Sequence, residues 1–233
     1  MKYKSSNRWP KRDVETFFDI WSKDMAYVLG YFAADGSMYK NKRRSCYIAF
    51  TSTDEELINL IKKIMSVSNA IENYKNPYKT WKRRYVLQIG SRKLFLKLIE
   101  LGFTPRKSLT LKFPKELPNE LLRHFVRGYF DGDGCASFVH YKRKDRKNLQ
   151  KFLNIRIRCG CKKFIQTLRD KITAAIGIEK GRLYFHSDAY ELVYSARNVV
   201  KLYRFMYPTI NMPCLERKRM ILKRGLSSYG LEV

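Results

Sequence analysis

Two nearly identical segments constrain this 233-residue chain more than any other feature, GYFAADG at residues 30–36 and GYFDGDG at residues 128–134. The same order of predicted elements surrounds both: a helix that ends in the segment, two strands, an amphipathic helix, two strands and a closing helix. The apolar spacing of Leu57–Ile61 in the first amphipathic helix returns in Phe164–Leu168. We therefore predict an α+β fold, built as a pseudo-twofold tandem repeat of αββαββα units, each with a saddle-shaped antiparallel sheet.

The repeat also predicts how the chain is divided. The first repeat is expected over residues 24–110 and the second over residues 118–224, with an N-terminal arm at 1–23, a linker at 111–117 and a C-terminal tail at 225–233. Local signals refine this picture. Thr53 or Asp54 is expected to cap the first amphipathic helix, and Asn76-Pro77 marks a turn between two strands.

Small residues recur four positions apart in both segments, Gly30 with Ala34 and Gly128 with Gly132. Residues at this spacing share one face of a helix. Glycine inside a helix costs about 0.5–1 kcal/mol relative to alanine, so its repeated use needs a compensating gain. Close contact between two helix backbones supplies that gain. We therefore predict that the two motif helices pack against each other along these four residues.

Each segment ends in an aspartate and a glycine, Asp35 with Gly36 and Asp133 with Gly134. Glycine suits the left-handed residue that often ends a helix. Each carboxylate would then lie at the negative end of a helix dipole, which disfavours it by a few tenths to about 1 kcal/mol. Packing of the two helices would also bring the two carboxylates together. A divalent cation between them removes both penalties, so the pair indicates a metal site.

The charge of the chain points to a polyanionic partner. It has 48 Lys and Arg against 21 Asp and Glu, a net charge of +27. Nucleic acid is favoured over an anionic membrane, because the basic residues are spread along the chain and accompanied by 16 Tyr and 14 Phe. No apolar run reaches the roughly 18 residues of a membrane span, and the N-terminus lacks an apolar signal core. We expect an intracellular protein without a membrane partner, in a bacterial cytoplasm or an organelle.

The five scattered cysteines predict neither a disulfide framework nor a zinc site.

Longer segments around the two motifs carry a family resemblance. VLGYFAADG and VRGYFDGDG, ending at Gly36 and Gly134, resemble the two motifs of a single-chain, two-repeat LAGLIDADG homing endonuclease. TPRKSLTLKFP and CLERKRMIL are similar to the lysine segments that close the two repeats of this family. The resemblance extends from about residue 24 to about residue 224. The sixth motif position differs between the copies, being Ala33 in one and Asp131 in the other, and we interpret Asp131 as a local structural acid.

The resemblance implies a site and a reaction. Asp35 and Asp133 would be catalytic and would bind metal, with Ala34 and Gly132 also in the metal site, and Lys107 and Lys218 would be the catalytic basic partners. The implied activity is Mg²⁺-dependent, site-specific cleavage of double-stranded DNA, with a staggered cut across the minor groove that leaves 3′ overhangs. Mn²⁺ is expected to replace Mg²⁺, and Ca²⁺ to bind without supporting cleavage. The resemblance further implies an intron-encoded protein that acts as a monomer.

The strands are expected to read the DNA. A β-ribbon fits the major groove, and alternation along each strand sends one face to the core and the other to DNA. Arg can recognise guanine, and Asn or Gln can recognise adenine, although contacts to phosphate carry no sequence information. The residues predicted to face DNA are Arg43, Ser45, Tyr47, Arg84, Gln88, Asn154, Arg156, Arg158, Lys180, Arg182 and Tyr184.

Two alternatives of the same fold remain open at this point. One is an intron maturase that binds intron RNA, and the other is a DNA-binding regulator that does not cleave. The presence of both Asp35 and Asp133 favours the nuclease, because binding alone does not need them. An intein is not expected, because the chain neither begins with Cys or Ser nor ends in His-Asn.

Overall fold

The computed structural model describes residues 14–75, 82–142, 145, 148–195 and 197–231. The first repeat contains α1 (Lys23–Asp35), β1 (Gly36–Lys40), β2 (Cys46–Ser52), α2 (Glu55–Met65), β3 (Ile71–Tyr74), β4 (Arg84–Gly90) and α3 (Arg92–Glu100). The second contains α4 (Leu122–Asp133), β5 (Gly134–Tyr141), β6 (Gln150–Cys159), α5 (Lys162–Ile176), β7 (Arg182–His186), β8 (Ala189–Ser195) and α6 (Arg197–Met206). A further helix, α7 (Glu216–Ser228), follows the second repeat.

The two halves have the same topology. Each forms a four-stranded antiparallel sheet, in the orders β1-β2-β4-β3 and β5-β6-β8-β7. The predicted α+β fold of two αββαββα units is therefore confirmed. A pair of equivalent hydrogen bonds repeats as well: Tyr31 donates to the Thr51 carbonyl at 2.6 Å, and Tyr129 donates to the Arg158 carbonyl at 2.9 Å.

Local sequence signals account for several helix ends. Ser22 caps α1 by accepting from the Met25 N–H, and Ser91 caps α3 by accepting from the Leu94 N–H, both at 3.1 Å. Gly177 ends α5 with a φ of 58°, a conformation that glycine adopts without strain. Asp54 lies at the N-cap position of α2 but makes no capping hydrogen bond, because its carboxylate binds Arg217 instead.

The helices cover one face of each sheet and leave the other face open. Side chains that point toward the helices form a continuous apolar core, for example Ile48, Phe50 and Leu87 in the first sheet and Ile155 and Ile157 in the second. Within the described part of the chain, no helix is long and apolar enough to cross a membrane.

The motif helices α1 and α4 pack in parallel at the centre of the molecule. A Cβ atom added to Gly30 would lie 2.1 Å from the carbonyl oxygen of Phe125. One added to Gly128 would lie 2.0 Å from the carbonyl oxygen of Tyr27. Such distances leave no room for a methyl group. The two backbones are thus in direct contact, as close as small residues permit.

The prediction that Gly36 and Gly134 adopt a left-handed conformation is wrong. Their φ angles are −76° and −90°, which is extended backbone that any residue can adopt. Glycine is required for a different reason: an added Cβ would lie 2.2 Å from the ring of Phe32 or Phe130, respectively. The motif glycine therefore makes room for the aromatic ring four residues earlier.

Several sequence expectations fall elsewhere or outside the described residues. The boundary expected after Arg224 lies within α7, which runs to Ser228. The turn at Asn76-Pro77 and residues 1–13 of the N-terminal arm are not among the described residues.

The helix contact generates a test of stability. Gly30→Ala should lower the free energy of unfolding by about 2–3 kcal/mol or more, since the new methyl group meets a backbone carbonyl that cannot move alone. Gly225→Ala in α7 is the matched control, because the nearest atoms to its added Cβ belong to the side chain of Leu153, the first at 2.5 Å, and not to a backbone. Chemical denaturation of both variants measures the difference. A Gly30→Ala protein as stable as wild type would contradict the close packing.

Candidate metal centre and nucleic-acid interface

The carboxylates of Asp35 and Asp133 meet at the ends of the motif helices. Each is the last residue of its helix, and the parallel packing brings the two C-terminal ends together. A Cβ atom added to Gly132 would lie 3.3 Å from Oδ2 of Asp35 and 2.5 Å from Cβ of Ala34. The first carboxylate therefore lies against the last turn of the second helix.

The pair has an unfavourable electrostatic environment. Burial, and then the charge of Asp133, raise the pKa of Asp35 from 3.8 to about 6. Burial also raises the pKa of Asp133, although Lys107, Lys218 and Arg158 oppose this shift. Both side chains lie at the negative ends of parallel helix dipoles, which adds to the repulsion.

Two buried lysines face this pair. Lys107 is 7% exposed, and its Nζ donates to the Ala34 carbonyl at 3.4 Å. Burial lowers its pKa to about 8, although both aspartates favour the charged form. Lys218 is 5% exposed, and its Nζ donates to the carbonyls of Phe130, Asp131 and Gly132 at 2.9, 2.8 and 2.9 Å. The four residues expected to be catalytic thus lie around one seam.

The oxygen atoms at the seam fit a hard divalent cation. Two carboxylates whose pKa is raised by burial, and in Asp35 also by mutual repulsion, gain from a positive charge between them. Carboxylate and carbonyl oxygens are the ligands that Mg²⁺ and Ca²⁺ prefer. The carbonyls of Ala34 and Gly132 each accept from a lysine and retain a second lone pair. Within the described residues, no group of three or more His, Cys, Asp or Glu forms a protein-only metal cage, so water or substrate would complete the shell.

Residues 22–101 match the family model described as LAGLIDADG-like domain. Over most of the chain, the fold is similar to that of the LAGLIDADG meganuclease I-AabMI bound to uncleaved DNA, with a TM-score of 0.61, 16% identity and coverage of 88% of this chain and 89% of that one. The homing endonuclease I-WcaI bound to its DNA recognition sequence gives a TM-score of 0.60 at 13% identity, covering 93% and 95%.

The chain has the two-repeat LAGLIDADG fold. Its first half carries the matched LAGLIDADG-like domain, and its second half repeats the topology of that domain. A curated relative, the DNA polymerase II large subunit of Thermococcus kodakarensis, is 25% identical over 118 residues, 49% of this chain. The matched part is 6% of the length of that relative.

The open face of the first sheet carries some of the residues predicted to face DNA. Strand register puts Tyr47, Gln88 and Arg84 on this face, opposite the core-facing Ile48 and Leu87. Arg43 and Ser45 lie in the turn before β2 and not on the strand itself. The turn between β1 and β2 therefore places these two residues at the end of the sheet and not on its open face, contrary to the prediction.

The open face of the second sheet holds the larger basic set. Arg156, Arg158, Arg182 and Tyr184 all lie on this face. Asn154 lies there too, but it is buried, and its Oδ1 has no hydrogen-bond partner within the described structure. Lys180 precedes β7, and its Nζ lies 3.3 Å from Asp170 of α5, on the helical side of the sheet.

Sequence reasoning missed three neighbours of these residues on the adjacent strands. The first-sheet face also carries Tyr39, whose hydroxyl donates to Gln88 Oε1 at 2.6 Å and whose ring stacks on that of Tyr47. The second-sheet face also carries Ser137, 3.3 Å from Nη2 of Arg156, and Glu191, 3.9 Å from its Nη1. Alternation along β1, β5 and β8, read with the same register, would have identified all three.

The raised pKa of Asp35 predicts that its charge destabilises the metal-free protein. Because folding raises this pKa above 3.8, the contribution of the group to stability is full below pH 4 and is lost as pH rises through about 6. Asp35→Asn should therefore raise the free energy of unfolding at pH 7.5 by about 1 kcal/mol, a value reduced for solvent screening because this side chain, although partly desolvated by its neighbours, still reaches solvent.

Thermal unfolding in EDTA measures this effect as an increase of about 2–4 °C at pH 7.5 that disappears near pH 4. Added Mg²⁺ should stabilise the wild-type protein and not the variant. A variant that is less stable than wild type at pH 7.5 without metal would show that the charge of Asp35 does not destabilise the metal-free protein.

Proposed function

We propose that the chain is a site-specific endonuclease that hydrolyses both strands of DNA with the help of a divalent metal ion. The observation that supports this most is the convergence of Asp35 and Asp133 at one seam, each beside a buried lysine. A binding protein would gain nothing from two carboxylates that repel each other and repel phosphate. The solved structures of similar fold include nucleases bound to DNA.

The residues at the seam match the needs of phosphodiester hydrolysis. A bound divalent cation supplies an activated water and neutralises charge on the phosphate. Asp35 and Asp133 would hold the cation, with the carbonyls of Ala34 and Gly132 within reach. Lys107, whose pKa is about 8, can carry or release a proton near neutral pH, and both lysines add positive charge where the phosphate gains negative charge.

The pseudo-twofold symmetry suits two scissile phosphates, one on each strand. We propose that one aspartate and one lysine serve each strand, giving a staggered cut with 3′ overhangs. Mg²⁺ is the proposed natural cofactor, Mn²⁺ its substitute and Ca²⁺ a cation that permits binding without cleavage. We further propose that the protein acts as an intracellular, intron-encoded monomer.

The open sheet faces are the proposed DNA-binding surface. They combine arginine, amide and aromatic side chains on strands that can enter the major groove. The net charge of +27 would supply the sequence-independent part of the affinity through release of counterions.

Cleavage of a randomised plasmid library tests the reaction. The wild-type protein should cut a defined site in Mg²⁺, and not in Ca²⁺ or EDTA. Asp35→Asn and Asp133→Asn should each lower the cleavage rate by at least about 10³-fold, since each removes a carboxylate that holds the cation. Glu100→Gln, which changes an exposed carboxylate on α3, is the control and should cut normally.

The same experiment separates the alternatives. Tight DNA binding without cleavage in any metal would favour a regulator, and preferential binding of structured intron RNA would favour a maturase. Either result would overturn the proposed nuclease.

A pair of arginine and lysine variants tests the DNA-binding face. Arg158→Ala, on the open face of the second sheet, should weaken DNA binding in Ca²⁺. A phosphate contact would reduce the slope of log affinity against log salt by about 1, whereas a base contact would cost about 1–3 kcal/mol at one base pair. Lys163→Ala removes the same charge from the helical side of that repeat. Equal losses in the two variants would contradict the proposed surface.

A further inference from the structure

Asp131 links three elements of the fold through one carboxylate oxygen. It is 2% exposed, and its Oδ2 accepts from the Tyr27 hydroxyl at 2.7 Å and from the Leu215 N–H at 2.9 Å. Tyr27 belongs to α1 of the first repeat, and Leu215 is the N-cap residue of α7. The carboxylate thus connects both motif helices to the start of the last helix.

Lys218 lies in the first turn of that same helix. Its backbone N–H donates to the Leu215 carbonyl at 3.0 Å, so the residue bound by Asp131 and the lysine belong to one hydrogen-bonded turn. The Nζ of Lys218 then returns to the last turn of α4, where it donates to three carbonyls, including that of Asp131 itself. Both ends of this turn of α7 are therefore bound to the C-terminal turn of α4.

The first repeat lacks this arrangement. Its equivalent motif position is Ala33, and Lys107 lies in a short 3₁₀ turn (Lys107–Leu109) instead of an α-helix. Among the residues that the structure describes, the Nζ of that lysine donates to one carbonyl, that of Ala34, at a longer distance of 3.4 Å. The turn follows Arg106, which is in a left-handed conformation, and lies in close contact with Gly160 of the second repeat.

A motif helix can pack without an acid at this position. The other repeat places alanine at the same position of an equivalent helix, and Oδ1 of Asp131 has no hydrogen-bond partner within the described structure. Burying a carboxylate with an unsatisfied oxygen is unfavourable. The second repeat differs in two respects. Asp131 accepts a hydrogen bond from the N-terminal end of α7, and the Lys218 ammonium donates to three carbonyls.

We propose that Asp131 is a positioning residue that fixes Lys218 at its half of the site, which makes the two halves unequal. Asp131 acts through Leu215 and the first turn of α7, and does not itself contact substrate. The consequence for cleavage rests on the proposed nuclease function: loss of Asp131 should slow cutting of the strand served by Lys218, and leave the strand served by Lys107 nearly unchanged.

Lysine acetylation of the free protein tests the positioning without any need for catalysis. Mass spectrometry after brief exposure to acetic anhydride follows Lys218 and Lys107 in the same molecule. Asp131→Ala should speed acetylation of Lys218 by about tenfold, the factor that corresponds to one net hydrogen bond, and leave Lys107 unchanged. Asp131→Asn, which keeps an oxygen acceptor, should restore most of the protection, and Tyr27→Phe should give an intermediate rate.

Strand-resolved cleavage tests the consequence. A duplex with a different fluorophore on each strand gives separate rates, and Lys218→Met and Lys107→Met identify the strand that each lysine serves. Asp131→Ala should slow the Lys218 strand by about tenfold relative to the other. Ile165→Ala, a core substitution in α5 of the same repeat, is the control for lost stability and should leave the ratio of the two rates unchanged.

The outcomes distinguish the two proposals. Unchanged acetylation of Lys218 in Asp131→Ala, or equal slowing of both strands, overturns the positioning role. A wild-type protein that cuts no DNA, combined with selective exposure of Lys218 in the variant, overturns the nuclease and leaves the positioning role in place. If Asp131→Ala does not fold, Tyr27→Phe decides the question: faster acetylation of Lys218 with Lys107 unchanged supports the positioning role, and a wild-type rate overturns it.

Discussion

The direct contact between the backbones of α1 and α4 is the constraint on which the rest of the structure depends. Gly30 and Gly128 each lie where a Cβ would enter the carbonyl of the facing helix. Because the helices run in parallel, this contact brings both C-terminal ends, and with them Asp35 and Asp133, to one point. The sheets follow directly from these ends, since Gly36 and Gly134 begin the first strand of each repeat. One contact therefore sets both the position of the acidic pair and the start of the two open surfaces.

That contact also concentrates negative charge at the C-terminal ends of the two motif helices. Two helix dipoles and two carboxylates place negative charge together, and burial raises the pKa of both acids. The two buried lysines offset part of this charge, but they are bound to backbone carbonyls and cannot pair fully with the aspartates. Negative charge that the lysines do not offset therefore remains at the seam, in a chain whose overall charge is strongly positive. A cation held at the seam and a polyanion held by the surrounding surface would each relieve one part of it.

The repeat, the periodicity and the small residues were enough to predict the topology and the meeting of Asp35 and Asp133, whereas Lys107 and Lys218 were expected at the site only from the family resemblance. Single-chain patterns could not predict what depends on contacts between distant segments. Asp54 has the right position for a helix cap, yet its carboxylate forms a two-bond ion pair with Arg217 at 2.7 and 2.8 Å. Lys180 has the right alternation for the open face, yet Asp170 attracts its side chain to the other side. In both residues, a partner distant in sequence outweighs the local preference.

The lysine segments show that the two repeats form one site and are not two independent halves. The N-cap residue of the amphipathic helix in each repeat contacts the lysine segment of the other: Asp54 binds Arg217 beside Lys218, and the Cys161 thiol donates to the Leu111 carbonyl beyond Lys107. Each lysine is therefore supported by elements that the opposite repeat contributes. The equivalent positions use an ion pair on one side and a thiol hydrogen bond on the other, so the two supporting contacts differ in kind although the topology is symmetric. Equal behaviour of the two lysine segments therefore does not follow from the shared topology of the repeats.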